Sequence, residues 1–145
     1  MTLELKKAMR IVLTDDDPHA LLFLQKSFQH FGVFSEIIYL KSGEELLDFM
    51  EHRDPLQQQK IDCLLLDMKM PGKSGRETLE ALRANHWAEE TPVVVMSHGS
   101  YAPDIEAVMK LGACAFWQKP GSLEEYRSFV EKINSLLDPF SFSKN

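Results

Sequence analysis

The sequence predicts an α/β fold in which a parallel sheet is covered by helices on both faces. Short apolar, β-branched runs, typical of strands buried on both sides, recur along the chain. Between them lie longer segments whose apolar residues recur at helical spacing. Five strands alternating with five helices require crossover connections, which are right-handed and place helices on both faces of a parallel sheet.

The predicted strands are apolar runs that end in polar or turn-forming residues. The third is the most continuous: it begins at Ile61, ends at Asp67 and is followed by the turn signal Pro71-Gly72. Because Cys63 and Cys114 fall within predicted strands, we expect both to be small buried thiols rather than metal ligands or redox centres. The five predicted strands cover residues 10–14, 35–40, 61–67, 93–97 and 114–118.

The predicted helices begin at capping signals. Asp17 followed by Pro18 fits an N-cap with proline at the first helical position, and Gly32 is suited to close that helix. Three Ser–Glu pairs have capping-box spacing, and they open the second, third and fifth helices: Ser42 with Glu45, Ser74 with Glu77, and Ser122 with Glu125.

The apolar stripes of the helices differ in clarity. The fourth helix, predicted over residues 100–111, is the least well defined, with Ile105, Val108 and Met109 on one face. The fifth helix has the clearest stripe, which comprises Tyr126, Phe129, Val130, Ile133, Leu136 and Leu137.

Length and charge restrict the function classes. At 145 residues we expect one domain over 1–145, with a core at about 10–137 and a C-terminal tail at 138–145. A formal net charge of -6 without a basic cluster argues against direct nucleic-acid binding. No apolar run approaches the roughly 20 residues of a membrane span, and the N-terminus does not resemble a signal peptide. We therefore expect a cytoplasmic protein.

Polar side chains stand at four predicted strand ends. They are Asp15 and Asp16 after the first strand, Asp67 after the third, Ser97 after the fourth and Lys119 after the fifth. In a parallel sheet these ends share one edge, where open α/β sheets bind ligands. Three carboxylates in one place would resist ionising together, whereas Mg²⁺, which prefers oxygen ligands, would remove that difficulty.

This set also has the groups needed for phosphoryl transfer. A carboxylate can act as a nucleophile and form an aspartyl phosphate, a reaction that needs mainly positioning and charge neutralisation. Taken singly, each residue has a simpler explanation as a helix cap, a turn former or a surface side chain. Their occurrence together, each at the end of its own strand, favours a site centred on Asp67.

Several segments carry a family resemblance. The chain closely resembles the receiver domain of two-component response regulators over about residues 10–137. The matching segments are Ile11 to Pro18, Leu64 to Gly72, Val94 to Ser97, and Gly112-Ala113 continuing through Phe116 to Pro120. The resemblance implies a flavodoxin-like, doubly wound (βα)5 fold with a five-stranded parallel sheet in the order 2-1-3-4-5.

The resemblance also implies a role for each acidic and basic position. Asp67 is similar to the aspartate that receives a phosphoryl group from the phosphohistidine of a sensor histidine kinase or a phosphotransfer protein. Asp15 and Asp16, with Asp67 and the backbone carbonyl of Lys69, would hold Mg²⁺. Lys119 would pair with the phosphoryl group, and its bond to Pro120 would be cis.

Two further positions would transmit the effect of phosphorylation at Asp67 to the protein surface. Ser97 would move toward the phosphoryl oxygens and Phe116 would turn inward. Together they would shift the face formed by the fourth helix, fifth strand and fifth helix, and so alter contacts with a downstream protein target. Phosphorylation-promoted homodimers through this face are common among similar domains, so a homodimer is a further expectation.

Three positions depart from the commonest family pattern. His98 follows Ser97 where a small residue is usual, Gly121 follows Lys119-Pro120 where a bulky apolar residue is usual, and Lys69 places a cation near the acceptor. We predict that His98 narrows access to Asp67 and alters the lifetime of the phosphoryl group.

Two alternatives stay open at the level of sequence. The same fold could serve as a phosphorylation-independent pseudo-receiver, although the complete set of polar residues argues against this. A phosphatase of the haloacid dehalogenase type needs a second acid two residues after the nucleophile, where this chain has Lys69. A phosphorylation switch, which is not an enzyme beyond its own phosphorylation and dephosphorylation, is therefore the favoured hypothesis.

Overall fold

Five parallel strands form one sheet in the order β2-β1-β3-β4-β5, as the sequence and the family resemblance predict. The computed structural model describes residues 8–54 and 60–137. The elements are β1 (Ala8–Thr14), α1 (Pro18–His30), β2 (Phe34–Leu40), α2 (Gly43–Glu51), β3 (Cys63–Asp67), α3 (Gly75–Ala84), β4 (Val93–Ser97), α4 (Ala102–Lys110), β5 (Ala115–Gln118) and α5 (Leu123–Leu137).

The sheet separates two apolar clusters. On one face, alternate residues of the central strands pack against α1 and α5, around side chains such as Phe28 and Ile133. On the other face they pack against α2, α3 and α4, around side chains such as Leu46, Leu79 and Val108. Burial on both faces explains why every residue of β3 and of β4 is buried.

The helix starts match the predicted caps closely. The Asp17 side chain accepts a hydrogen bond from the backbone N–H of His19, with Pro18 at the first helical position. Ser74 and Glu77 form a complete, reciprocal capping box. The other two pairs are incomplete. Ser42 and Ser122 accept from the N–H of Glu45 and Glu125, but each glutamate accepts from the residue before its serine.

Two predictions about buried side chains are wrong. Cys114 lies just before β5 and is exposed, because β5 is an edge strand that buries none of its own residues fully. Met109 of α4 is 42% exposed, whereas Val108 is fully buried, so α4 contributes a narrower apolar face than predicted. The C-terminal tail, with Phe140 and Phe142, lies outside the described residues.

Within the described ranges, no helix is both long enough and apolar enough to cross a membrane.

Candidate functional site

An ion-pair cluster occupies the carboxyl edge of the sheet, between the ends of β1, β3 and β5. The Nζ atom of Lys119 lies 2.9 Å from Asp15 Oδ1 and 3.1 Å from Asp67 Oδ2, and donates a hydrogen bond to each. All three side chains are buried, with Asp15 fully so. Residues 52 and 104 positions apart in the chain thus meet at one point, as the predicted alignment of strand ends requires.

Local backbone contacts hold both carboxylates in place. The N–H of Asp17 donates to Asp15 Oδ1 over 2.9 Å, so the residue that caps α1 also fixes the first acidic side chain. Asp67 Oδ1 accepts a longer hydrogen bond of 3.4 Å from the N–H of Lys69. Oδ1 is therefore the less firmly engaged oxygen of Asp67, since Oδ2 accepts from Lys119.

Backbone hydrogen bonds on both sides hold the loop after Asp67 in place. Met68 donates its N–H to Met96 O, and Gly75 donates its N–H to Met68 O, both over 2.8 Å. A Cβ atom at Gly75 would lie 2.5 Å from the carbonyl oxygen of Asp67, so only glycine allows α3 to begin this close to the end of β3. Gly72, between them, has φ +81°, a conformation that glycine adopts readily.

Burial raises the pKa of Asp67 to about 6, and the nearby charge of Asp15 acts in the same direction. Lys119 opposes this shift without cancelling it. Since the folded-state pKa lies above the ordinary 3.8, protonation of Asp67 favours the folded state at low pH. That contribution is lost as the pH rises through about 6, where the buried carboxylate becomes charged.

The pKa values of Lys119 and Tyr126 are also shifted by burial and by the nearby carboxylates. Burial by itself would lower the pKa of Lys119, but the hydrogen bonds and charges of Asp15 and Asp67 outweigh it and raise the pKa. The lysine therefore stays fully charged. Burial raises the pKa of the Tyr126 phenol, and the charge of Asp15 acts in the same direction.

The donor set fits a hard divalent cation. One carboxylate oxygen from each of Asp15, Asp16 and Asp67 lies within 4.8 Å of the others. Asp15 Oδ2 is buried and accepts no well-directed hydrogen bond, although it lies 2.8 Å from Lys119 Nζ. Asp15 Oδ2 therefore forms an ion pair with Lys119 and keeps lone pairs for another ligand. Asp16 is exposed, which leaves the cluster open to solvent on one side.

Ser97 and Phe116 lie where the strand order places them. The Ser97 hydroxyl accepts from the N–H of Gly99 over 3.2 Å, and its carbonyl accepts from the N–H of Lys119 over 2.8 Å. The backbone of β4 is thereby tied to the residue that bridges the carboxylates. Phe116 is half-buried against the cluster that contains Val108. The functional roles assigned to both residues stay predictions.

One expectation from the resemblance is wrong, and another stays a prediction. Within the described ranges every peptide bond is trans, including Lys119–Pro120, in keeping with the ordinary preference of an X–Pro bond. Lys69 is exposed, and its N–H points toward Asp67. Its carbonyl as a metal ligand stays a prediction.

Comparison with known proteins agrees with this geometry. Residues 11–131 match the family described as the response regulator receiver domain, and the chain belongs to that family. It is thus a receiver domain of two-component signal transduction, a signalling class rather than a conventional enzyme.

Individual relatives are similar over most of this chain. The transcriptional regulatory protein CpxR of Escherichia coli strain K12 is 32% identical over 88% of the chain and 49% of CpxR. The chain spans about half the length of the curated relatives that it matches.

Solved structures share the fold. The phosphorylated cyanobacterial phytochrome response regulator RcpA has a TM-score of 0.77 at 23% identity, over 90% of this chain and 94% of RcpA. The Mn²⁺-bound form of response regulator Rcp1 has a TM-score of 0.73 at 24% identity, over 88% and 92% of the two chains.

Sequence reasoning missed the residues that position the site without taking part in it. Gly75 is the main example, because the close approach that requires glycine depends on two elements meeting in space. Tyr126 was assigned only to an apolar stripe, and its proximity to the acidic cluster has no sequence signal. Asp17 was predicted as a helix cap, but not as the partner of Asp15.

Proposed function

We propose that this chain is a phosphorylation-activated switch whose acceptor is Asp67. The observation that supports this best is the buried ammonium of Lys119 held between the carboxylates of Asp15 and Asp67. Burial of these charges costs desolvation free energy, which the attraction within a buried ion pair often does not repay. A divalent cation at the aspartates would neutralise the excess negative charge, and Lys119 would pair with a phosphoryl group on Asp67.

In the proposed reaction, Asp67 acts as the nucleophile through Oδ1, the oxygen with the weaker hydrogen bond. An Oδ1–P bond forms while the P–N bond of a phosphohistidine breaks, and the imidazole leaves with its electron pair and takes up a proton. Lys119 then neutralises charge on the phosphoryl oxygens, and the Ser97 hydroxyl donates a hydrogen bond to one of them. These interactions stabilise charge that is absent before transfer.

We propose Mg²⁺ as the bound cation, held by Asp15, Asp16 and Asp67 with the carbonyl of Lys69. Oxygen donors of this kind suit Mg²⁺, which would neutralise the carboxylates and the transferred phosphoryl group. The phosphoryl donor is a sensor histidine kinase or a histidine phosphotransfer protein. The output is a change of protein contacts, in a downstream target or a homodimer, at the face formed by α4, β5 and α5, with Phe116 as its inner switch.

The acceptor is tested by measuring the intact mass after incubation with Mg²⁺ and acetyl phosphate. We expect one phosphoryl adduct on the wild-type chain and none on Asp67→Asn, because the amide cannot form the acyl phosphate. Asp62→Asn, at the other end of the same β-strand region, is the matched control and should retain the adduct. Chelation of the cation should abolish the reaction in the wild-type chain and in Asp62→Asn.

Absence of an adduct from both acetyl phosphate and a phosphohistidine donor would contradict this proposal. The pseudo-receiver would then be the better explanation, and unphosphorylated binding would be measured next. An adduct that persists in Asp67→Asn would place the acceptor elsewhere.

His98 is proposed to control the lifetime of the phosphoryl group. It is exposed and directly follows Ser97, and from this position its imidazole would restrict the approach of water to Asp67. We expect His98→Ala to change the first-order rate of dephosphorylation by about threefold, a barrier change of about 0.6 kcal/mol. Following the adduct by mass after removal of the donor measures this rate, and equal rates would remove the proposal.

A further inference from the structure

The carboxyl end of α4 is firmly closed by backbone hydrogen bonds. The N–H of Gly112 donates to Met109 O over 3.0 Å, and the N–H of Ala113 donates to Val108 O over 3.1 Å. With Gly112 at φ +86°, this pair of bonds is a Schellman motif. Val108 and Ala113 are both buried, so the motif is seated on the apolar cluster beneath it.

Arg83 of α3 adds a second closure at this end. Its Nε donates to Leu111 O over 2.7 Å and its Nη2 donates to Gly112 O over 3.2 Å. Its Nη1 donates to Ala88 O over 3.0 Å, in the loop after α3. One guanidinium therefore joins three segments, and its charge lies at the negative end of the α4 dipole.

The amino end of α4 has no comparable support. Tyr101 occupies the N-cap position without a side-chain hydrogen bond to the helix, and Tyr101, Ala102 and Pro103 are all exposed. A groove of about 430 Å³ runs along the whole of α4 beside α3, from Pro103 to Leu111, so it does not distinguish the two ends. The Arg76–Asp104 ion pair that crosses it is long, at 3.8 Å, and half-exposed.

The one fully buried side chain of α4 also lies near its carboxyl end. Val108, in the last turn, is the one buried residue among the nine of α4, whereas α3 buries four of ten. The end of α4 with few contacts is also the end that leads back to Ser97 through residues 98–101. A helix held at one end and loosely packed at the other can swing about the held end at low energetic cost.

We propose that Arg83 fixes the carboxyl end of α4 as a pivot, so that the amino end of α4 is the part that moves. Arg83 acts here as a positioning residue, since it contacts neither Asp67 nor the other acidic residues of the site. The anchoring is a property of the unphosphorylated chain. Its use in signalling rests on the proposed phosphorylation of Asp67, which would displace the amino end and leave the carboxyl end in place.

The anchor is tested by amide hydrogen exchange resolved by residue, on the full chain. Two groups of amides are compared: Asp104 and Ile105 at the amino end, and Leu111 and Ala113 at the carboxyl end, all of them hydrogen-bonded. In Arg83→Met, which keeps the aliphatic stem, we expect the carboxyl-end amides to exchange about five- to tenfold faster, as loss of the guanidinium hydrogen bonds predicts. Arg83→Lys should give an intermediate increase.

Arg76→Met is the matched control, because Arg76 lies two turns earlier on α3 and also faces α4. It should leave the carboxyl-end amides unchanged. Amides of β4 serve as an internal reference for global stability. The anchor is refuted if Arg83→Met leaves Leu111 and Ala113 unchanged, if both arginine variants act equally, or if exchange rises uniformly across the sheet.

The same measurement after phosphorylation tests the pivot. With the adduct verified by mass, we expect wild-type changes to concentrate at Asp104 and Ile105, and to spread to Leu111 and Ala113 only in Arg83→Met. Larger changes at the carboxyl end of wild type would overturn the pivot. If no adduct forms, the proposed function fails, while the unphosphorylated comparison still decides whether Arg83 anchors α4.

Discussion

Replacement of Lys119 by methionine is expected to lower the free energy of unfolding by about 3 kcal/mol near neutral pH, as removal of one partner from a buried ion pair does. The ammonium forms hydrogen bonds with both Asp15 and Asp67, and all three side chains are buried. Without it, two carboxylates face each other with no cation between them. Methionine fills most of the same volume, so the loss reports charge rather than a cavity.

The loss should depend on pH and on divalent cations. Near pH 5, protonation of Asp67, whose pKa is already raised to about 6, removes part of the repulsion. Millimolar Mg²⁺ should restore part of the stability near neutral pH, because it replaces the missing positive charge. Urea unfolding followed by circular dichroism, at both pH values and with and without Mg²⁺, measures these effects.

Lys69→Met provides the control for this experiment. Lys69 is exposed and follows Asp67 by two residues, so its removal changes the net charge equally without opening a buried pair. We expect a change below about 0.5 kcal/mol, the usual range for an exposed side chain. Similar losses in both variants, or no loss in Lys119→Met, would show that the buried ion pair contributes nothing to stability.

Much of the fold was predictable because local and periodic signals agreed. The caps at Asp17 and Ser74 and the glycine that closes α1, Gly32, depend on a few neighbouring residues, and each is present as predicted. The alignment of polar residues at one sheet edge followed from parallel strands alone. The order of the strands depended on the family resemblance, since alternation of elements does not fix it.

The two errors about buried side chains share one cause: a pattern in sequence does not report which surfaces meet. Met109 fits the spacing of an apolar stripe, but α4 buries little more than Val108, so Met109 faces solvent. Cys114 continues the pattern of β5, yet β5 lies at the edge of the sheet, where none of its residues is fully buried. Arg83 has no sequence signal of its own, because two of its three acceptors, Leu111 O and Gly112 O, belong to a segment that only the tertiary fold brings near it.

Gly75 is the position where close contact between two elements, β3 and α3, has the largest expected effect on stability. In Gly75→Ala, the new Cβ would lie 2.5 Å from Asp67 O and 2.8 Å from Met68 Cα, both of them backbone atoms that cannot rotate away. We expect a loss of about 3 kcal/mol, at the upper end for overpacking and well above the gain in helix propensity from alanine, at most about 1 kcal/mol. Urea unfolding measures the net change.

The same substitution should also slow phosphorylation, which separates a local displacement from a general loss of stability. To accommodate the methyl group, the end of β3 must shift away from α3, and Asp67 would move relative to Asp15 and Lys119. Gly99→Ala is the control, since a Cβ there meets nothing within 4 Å and Gly99 also lies at the sheet edge. If Gly75→Ala unfolds like wild type and accepts phosphate at the same rate, the start of α3 can shift freely. In that case its close approach does not position Asp67.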